Sequence, residues 1–507
     1  MIPIDGVSVF RRSQGPCEDS VSMRAYLSIS ICSILMAMLL LPATEVRADD
    51  VELLRELNAL PTIAVSDRTK SYRLFFDGAA NLTPLPSRFE GGIQPGMINP
   101  RMSGWSELSN WAEANVHMAS AIKEASERPV FGLPYGANNV PSTYRNNNFY
   151  AAVGGDVELD RIHFPYLKTL RRAHIYAVTE VYRRMEANQV DEAFDLIVAN
   201  LFFLRQICDR EFIEEKEFGI SELLDMLETT RDVFFTYRER ISANQYRHLA
   251  VTEIPFLRPD RNALFMPEAD RIVARAIFDQ VFDDRGQPIV EEFKRIFASI
   301  QSRDQPLTRF GAVRQWDRVA HVHDSLDASL QRLRLVYDDW WRRWRVQEYD
   351  PVIESVPTEF ERTNPVRSAA VLFALKDIQN LFMLRRQLIA EVNATGMAAG
   401  ICGYYKTYNT WPRDQRRLYA AHCRKSSDID PYDRNMRTFL FIYPSSSHTL
   451  DTPYGRLRIP AQMSILYSRG EEGGDGRASQ HTSDGVEGDI VFWPPVRAMA
   501  REQGLLN

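Results

Sequence analysis

The sequence predicts a mainly α-helical chain: a helical-hairpin body followed by a small α+β domain in which one long helix lies on an antiparallel sheet. Three observations carry this expectation. Apolar residues recur at spacings of three and four through most of 103–347, as amphipathic helices require. A stretch with three prolines and no such period, DPVIESVPTEFERTNPV, interrupts the pattern at 350–366. Beyond about residue 404 the apolar period shortens to two, in FLFIYP, SILYS and DIVFW.

Residues 1–48 read as an N-terminal extension and a signal peptide. The run YLSISICSILMAMLLLP at 26–42 follows Arg24 and precedes Val46-Arg47-Ala48. That order of basic, apolar and small-residue regions is the pattern of a secretory leader. The run is shorter than the ~20 residues of a spanning helix. Met23 stands directly before Arg24, so the signal is expected at about 23–48, with cleavage after Ala48. The mature chain is then exported, periplasmic or extracellular, with no stable membrane insertion. Cys17 and Cys32 leave with the leader, and Cys208, Cys402 and Cys423 remain. Cys208 sits in the apolar run LFFLRQIC and reads as core. A disulfide between Cys402 and Cys423 stays open, since an oxidising compartment permits it.

Residues 49–101 hold one short helix, VELLRELNAL, and then an extended Pro/Gly-rich segment. The α-helical domain is expected over 102–349. Its first helix runs from Ser103 or Ser106 to about Arg128, with the stripe Trp105, Leu108, Trp111, Ala112, Val116, Ala119 and Ile122. Helices over Pro165–Asn188 and Asp191–Cys208 leave only a short joint, so they must pair antiparallel as a hairpin. EANQVDEAFDLIVANLFFLRQI is TPR-like, although its period does not recur cleanly. Further helices are expected at 219–242, 267–283, 288–302 and 312–347. The last carries Trp340, Trp341 and Trp344 among arginines and aspartates, either as a core stripe or as a platform for sugars. A linker at 350–366 leads to the α+β domain at 367–507. There a helix from Arg367 to Tyr404 covers strands at 438–444, 463–468 and 489–493, through Val371, Leu375, Ile378, Leu381, Phe382, Leu388 and Ile389.

Composition narrows the partners. The chain has 507 residues, 45% of them hydrophobic and 25% charged, and a net charge of -6. An acidic chain gains little from counter-ion release at phosphates, so nucleic acid is not an expected partner.

The C-terminal part carries a set of short motifs in order: a long helix, Tyr405 to Trp411-Pro412, Asp430-Pro431-Tyr432, Tyr467-Ser468-Arg469-Gly470 and an acidic Gly-rich loop ending at Asp489. This resembles the globular part of the major pseudopilins of type II secretion. The resemblance implies a helix on an antiparallel sheet and a calcium loop, with Asp475, Asp484, Asp489 and Ser468 at the matching positions. Calcium takes six to eight hard oxygens on a flexible loop. The matching helix is internal here and interrupted by Arg385, Arg386 and Gln387, so filament assembly through an N-terminal apolar helix is not implied. With Trp111-Ala112-Glu113-Ala114-Asn115 and the helical hairpins, the whole mature chain also resembles a family of exported bacterial proteins of unassigned activity.

Motifs of catalysis are sparse: HExxH, GxSxG, the P-loop and GxGxxG are absent. His321, His323 and Asp324 fall within the expected 312–347 helix, where the two histidines point to different faces. Ser445-Ser446-Ser447-His448 lies between expected strands and reads as a polar turn. The function expected is therefore an exported, non-catalytic scaffold or protein-binding protein of the cell envelope with an envelope protein partner. The alternative is an envelope polysaccharide hydrolase using the α-helical body, which requires two carboxylates across an aromatic cleft.

Overall fold

A computed structural model describes residues 48–154, 158–257, 264–304, 309–346, 353, 355–419, 421–471, 473–483 and 487–506. The expected leader and its cleavage site, with Asp484 and much of 347–354, lie outside the described residues. Residues Ala48–Asn507 form one compact unit, in which the segments 49–101, 102–349 and 367–507 share a continuous apolar core. The architecture is mainly helical with a small group of antiparallel strands near the C-terminus.

Helix α1 (Ala48–Asn58) opens the unit, and α2 (Tyr72–Ala79) follows within the segment expected to be extended. Tyr72, Phe75, Phe76 and Ala79 bury one face of α2, and Phe75 stacks on Phe203 at 4.5 Å. The short apolar period of YRLFFDGA is masked in sequence by its flanking prolines and glycines. The single helix expected over 103–128 is two, α3 (Trp105–Ala114) and α4 (His117–Ser126). Asn115 ends α3, and its buried side chain donates to Trp111 O at 2.7 Å and to Thr83 Oγ1 at 2.8 Å. The stripe changes direction there, which leaves Val116 exposed instead of buried.

After the short α5 (Ser142–Asn146) comes the hairpin of α6 (Tyr166–Glu186) and α7 (Val190–Ile207), joined by Ala187–Gln189 with Asn188 in the left-handed region at φ 59°. Helix α8 (Ile213–Thr236) packs against α6, α7 and the long C-terminal helix α15 (Gln379–Tyr408), and so forms the spine. Around it lie α9 (Ala243–His248), α10 (Ala269–Val281), α11 (Val290–Asp304), α12 (Arg309–Ala320), α13 (Leu326–Arg345) and α14 (Ala369–Ala374). The helix expected over 312–347 is thus broken at 321–325, where Ser325 caps α13 by accepting Ala328 N–H. The helix expected over 367–404 is likewise broken at Leu375–Ile378.

From Ala390 to Tyr404 every residue of α15 is buried. A helix buried all round has no polar face, which is why this segment shows no single stripe. One side meets α8, where Arg231 pairs with Glu391 and donates to Thr395 Oγ1 at 2.7 Å. Another meets the sheet through β5. The sheet has the order β1 (Leu440–Ile442), β4 (Ile465–Ser468), β5 (Ile490–Trp493), all antiparallel, with Leu440 opposite Tyr467 and Leu466 opposite Trp493. The three expected strands therefore form one sheet with the long helix against it, but not through the whole expected stripe: Val371 lies on α14, which packs on α10, α11 and α13, and Phe382 packs on Trp344. An additional hairpin, β2 (His448–Thr452) and β3 (Gly455–Ile459), pairs Leu450 with Leu457. Its remaining side chains are mostly polar, so its period of two was faint in sequence.

The last helix, α16 (Val496–Glu502), closes the unit on α8. Asp232 accepts Arg497 Nε at 3.1 Å and Arg501 Nη1 at 3.0 Å, all three side chains being buried. Arg497 also reaches Asp225 and Glu228, and Arg501 donates to Gly96 O at 2.6 Å. A Cβ at Gly96 would stand 1.7 Å from Arg497 Nη1, so only glycine admits this approach.

Candidate functional site

The expected calcium residues divide between two neighbourhoods. Asp475 and Asp489 lie close together in the loop after β4. Asp475 Oδ1 accepts from Tyr467 Oη at 3.0 Å and Arg477 N at 2.9 Å, and Arg469 stands 3.7 Å from its other oxygen. Asp489 is buried and accepts from Ala478 N at 2.7 Å and Gly476 N at 3.3 Å. Burial raises its carboxyl above the ordinary range, against those two amides. Ser468 faces elsewhere: its hydroxyl meets Asp430 and accepts Gly470 N–H at 3.1 Å. Asp475 Oδ1, both Asp489 oxygens and the Ser468 hydroxyl thus have N–H or O–H donors in place, and Asp475 Oδ2 faces Arg469. Among the described residues no group of three or more His, Cys, Asp or Glu is placed to hold a metal ion.

The other sequence candidates are built into the fold. His323 is in the break between α12 and α13, not on a helix; its Nδ1 donates to Asp324 O at 2.8 Å and its Nε2 accepts Ala370 N–H at 3.0 Å. Burial lowers its pKa and keeps the ring neutral. His448 is tied to Ala478 O at 2.7 Å. Cys208, Cys402 and Cys423 are buried free thiols, so no bond joins Cys402 to Cys423; Cys423 Sγ faces Met397 Sδ at 3.7 Å.

The tryptophan cluster divides by helical period. Trp340 and Trp344 are four residues apart and face the core, 1% and 6% exposed, whereas Trp341 is 40% exposed. Trp340 packs on Phe360, and Trp344 donates its ring N–H to Leu264 O at 2.8 Å. Trp341 lies where two clefts meet. One, of about 680 Å³, runs between α10 and α13 and is lined by Arg271, Arg275, Leu330, Arg334, Tyr337 and Asp338. The other, of about 390 Å³, is lined by Leu60, Pro61, Glu211, Leu264, Phe265, Met266, Arg345 and Arg385. Glu268 and Trp341 line both, so the two form one groove. Arg345 lies over the Trp341 ring at 3.7 Å, and Arg385 over Trp344 at 4.4 Å while donating to Trp344 O at 2.8 Å.

The groove carries five arginines against three carboxylates, on a chain whose net charge is -6. Two of those carboxylates are engaged. Glu211 accepts Thr62 Oγ1 at 2.7 Å and the backbone N–H of Glu268 at the start of α10. Burial raises its pKa, opposed by Lys216 and by the Thr62 bond. Glu268 is paired with Arg271 at 2.7 Å. The sequence marked Trp341 but missed Glu268, Arg271, Arg275 and Phe265, because the neighbour of an exposed helix face is fixed by tertiary packing. Comparison with protein families, curated proteins and solved structures finds no match to this chain.

Proposed function

We propose that the chain is an exported, non-catalytic binding protein of the cell envelope and that the groove at Trp341 is its docking surface. Export rests on the leader pattern before Asp49. The observation that carries the docking surface is Trp341 itself, a large aromatic side chain left 40% exposed between two clefts and stacked with an arginine. Tryptophan and arginine are the side chains that most often dominate binding energy in interfaces.

The competing reading is an envelope polysaccharide hydrolase, and Glu211 favours it, being a carboxyl of raised pKa at an aromatic cleft. Such an enzyme needs a second carboxylate free to act across the sugar. Glu268 is held by Arg271, and Glu211 serves the N-terminus of α10; Asp338, the remaining carboxylate, lies in the larger cleft and not in the smaller one with Glu211, so the groove suits binding better than hydrolysis.

Both readings meet in one experiment. The purified chain and its Trp341→Asp variant are incubated with envelope extract, and hydrogen exchange on α10 and α13 is followed alongside product release from a glycan panel. Binding predicts extract-dependent protection of both helices that Trp341→Asp abolishes. Glycan cleavage lost in Glu211→Gln would establish the hydrolase instead.

A further inference from the structure

The two ends of the groove differ in chemistry, and that difference names an occupant. Resting on the docking reading above, we propose that the groove receives an extended acidic peptide segment: an apolar anchor residue enters the smaller cleft, and flanking carboxylates meet Arg334 and Arg345.

Along α13, Arg334, Asp338, Trp341 and Arg345 follow one another at spacings of four, three and four, so they lie on one stripe of the helix. Arg334 and Arg345 are both exposed, and neither has an ion-pair partner among the described residues. Eleven residues of helix separate them, roughly 16 Å at 1.5 Å per residue. An extended peptide rises about 3.3 Å per residue. The two guanidinium groups therefore match carboxylates four to five residues apart, with Trp341 beneath the residues between them. Each contact would be a charge-assisted, geometrically selective bond of the kind arginine makes with carboxylates.

Beside Trp341 the smaller cleft is walled by Leu264, Phe265 and Met266, and Phe265 is 51% exposed. Apolar walls with a flexible methionine fit an apolar side chain. A pyranose would want an open aromatic face beside the arginines, and one face of Trp341 is already covered by Arg345 at 3.7 Å; the exposed Phe265 ring stands with Leu264 and Met266 in the apolar cleft, where an apolar side chain is the better match. A peptide is thus favoured over an acidic polysaccharide, although both would answer the positive charge.

The test uses the full chain and fluorescein-labelled Gly/Ser peptides carrying one central Phe with a Glu pair toward each end, read by fluorescence anisotropy. Saturable binding is expected that weakens as NaCl rises from about 50 to about 500 mM. Arg334→Glu and Arg345→Glu should each weaken it roughly ten-fold, with melting temperatures within about 2 °C of the parent, since both positions are on the surface. Replacing the peptide Phe by Ala should weaken it similarly, and exchanging Glu for Lys should abolish it. Binding of polygalacturonate but not of the peptide would overturn the peptide class while leaving the groove as a docking surface. Peptide binding that is indifferent to both arginine variants would overturn the assignment of the carboxylates. If extract protects α10 and α13 but neither probe binds, this inference fails and the docking reading stands.

Discussion

Asn115 and Thr83 hold each other by a closed pair of hydrogen bonds: Asn115 Oδ1 accepts Thr83 N–H at 2.9 Å and Asn115 Nδ2 donates to Thr83 Oγ1 at 2.8 Å. Trp111, one turn earlier, donates its ring N–H to Thr83 O at 3.1 Å. The two ends of the W-x-x-x-N motif thus grip one residue of the Pro-rich segment. Asn115→Leu should cost about 2–3 kcal/mol, because it strands buried backbone groups without partners. Trp111→Phe should cost less, as the ring packing survives. Urea denaturation of both variants measures the difference; equal losses would mean that packing at Trp111 dominates the clamp.

Asp232 holds two buried guanidinium groups, so its removal leaves unpaired charge in the core. Asp232→Ala should destabilise the protein by about 3–5 kcal/mol. Gly96→Ala should be comparably damaging through a different cause, since its Cβ would collide with Arg497. Thermal melts of the two single variants and the double variant check this. Losses that add fully would show that the two positions are independent, against the contact described.

Asp270 is half-buried and accepts Ile213 N–H at 2.9 Å, and its partial desolvation pushes its carboxyl up to about 7, against the Ile213 amide and Lys376 and reinforced by Glu215. The folded state then binds a proton that the unfolded chain releases near 4. Stability from this group is complete below about pH 4 and is lost as pH rises toward 7. Asp270→Asn keeps an acceptor oxygen without the titration, and should flatten the stability profile between pH 4 and 7. A profile unchanged by the substitution would place the proton elsewhere.

The loop before β5 rests on Asp489. Arg477 and Ala478 are both left-handed, at φ 52° and 53°, a conformation that costs energy for L-residues and that the amide bonds to Asp489 fix in place. Asp489→Ala should lower stability by about 1–3 kcal/mol, equally in calcium and in chelator. A loss confined to calcium-loaded protein would make Asp489 a cation ligand, as the pseudopilin resemblance implies.

Much of the helical order was legible. The α6–α7 hairpin falls within a few residues of its expected bounds because its apolar period is strong and its joint is short. The breaks at Asn115, at 321–325 and at Leu375–Ile378 were not legible, since apolar spacing continues across each and no proline or glycine marks it. Helix α2 was hidden for the opposite reason, lying between turn-forming residues. At the groove, the division of Trp341 from Trp340 and Trp344 follows from 100° per residue, so the exposed ring could be read from the period. The arginines of α10 that face it could not, because nothing in a linear pattern says which helix lies alongside.

The bond from Arg501 to Gly96 joins residues 405 positions apart. Until residues 496–502 have left the ribosome, Asp232 has neither of its guanidinium partners from α16, and the segment around Gly96 has nothing to close on. Contacts of such long range form late and slowly. The face of α8 around Asp232 is therefore covered only after α6, α7 and α15, the helices that pack on the rest of it, have been made. Truncation at Pro495 would leave a polypeptide that starts every part of its fold and completes none of the closure.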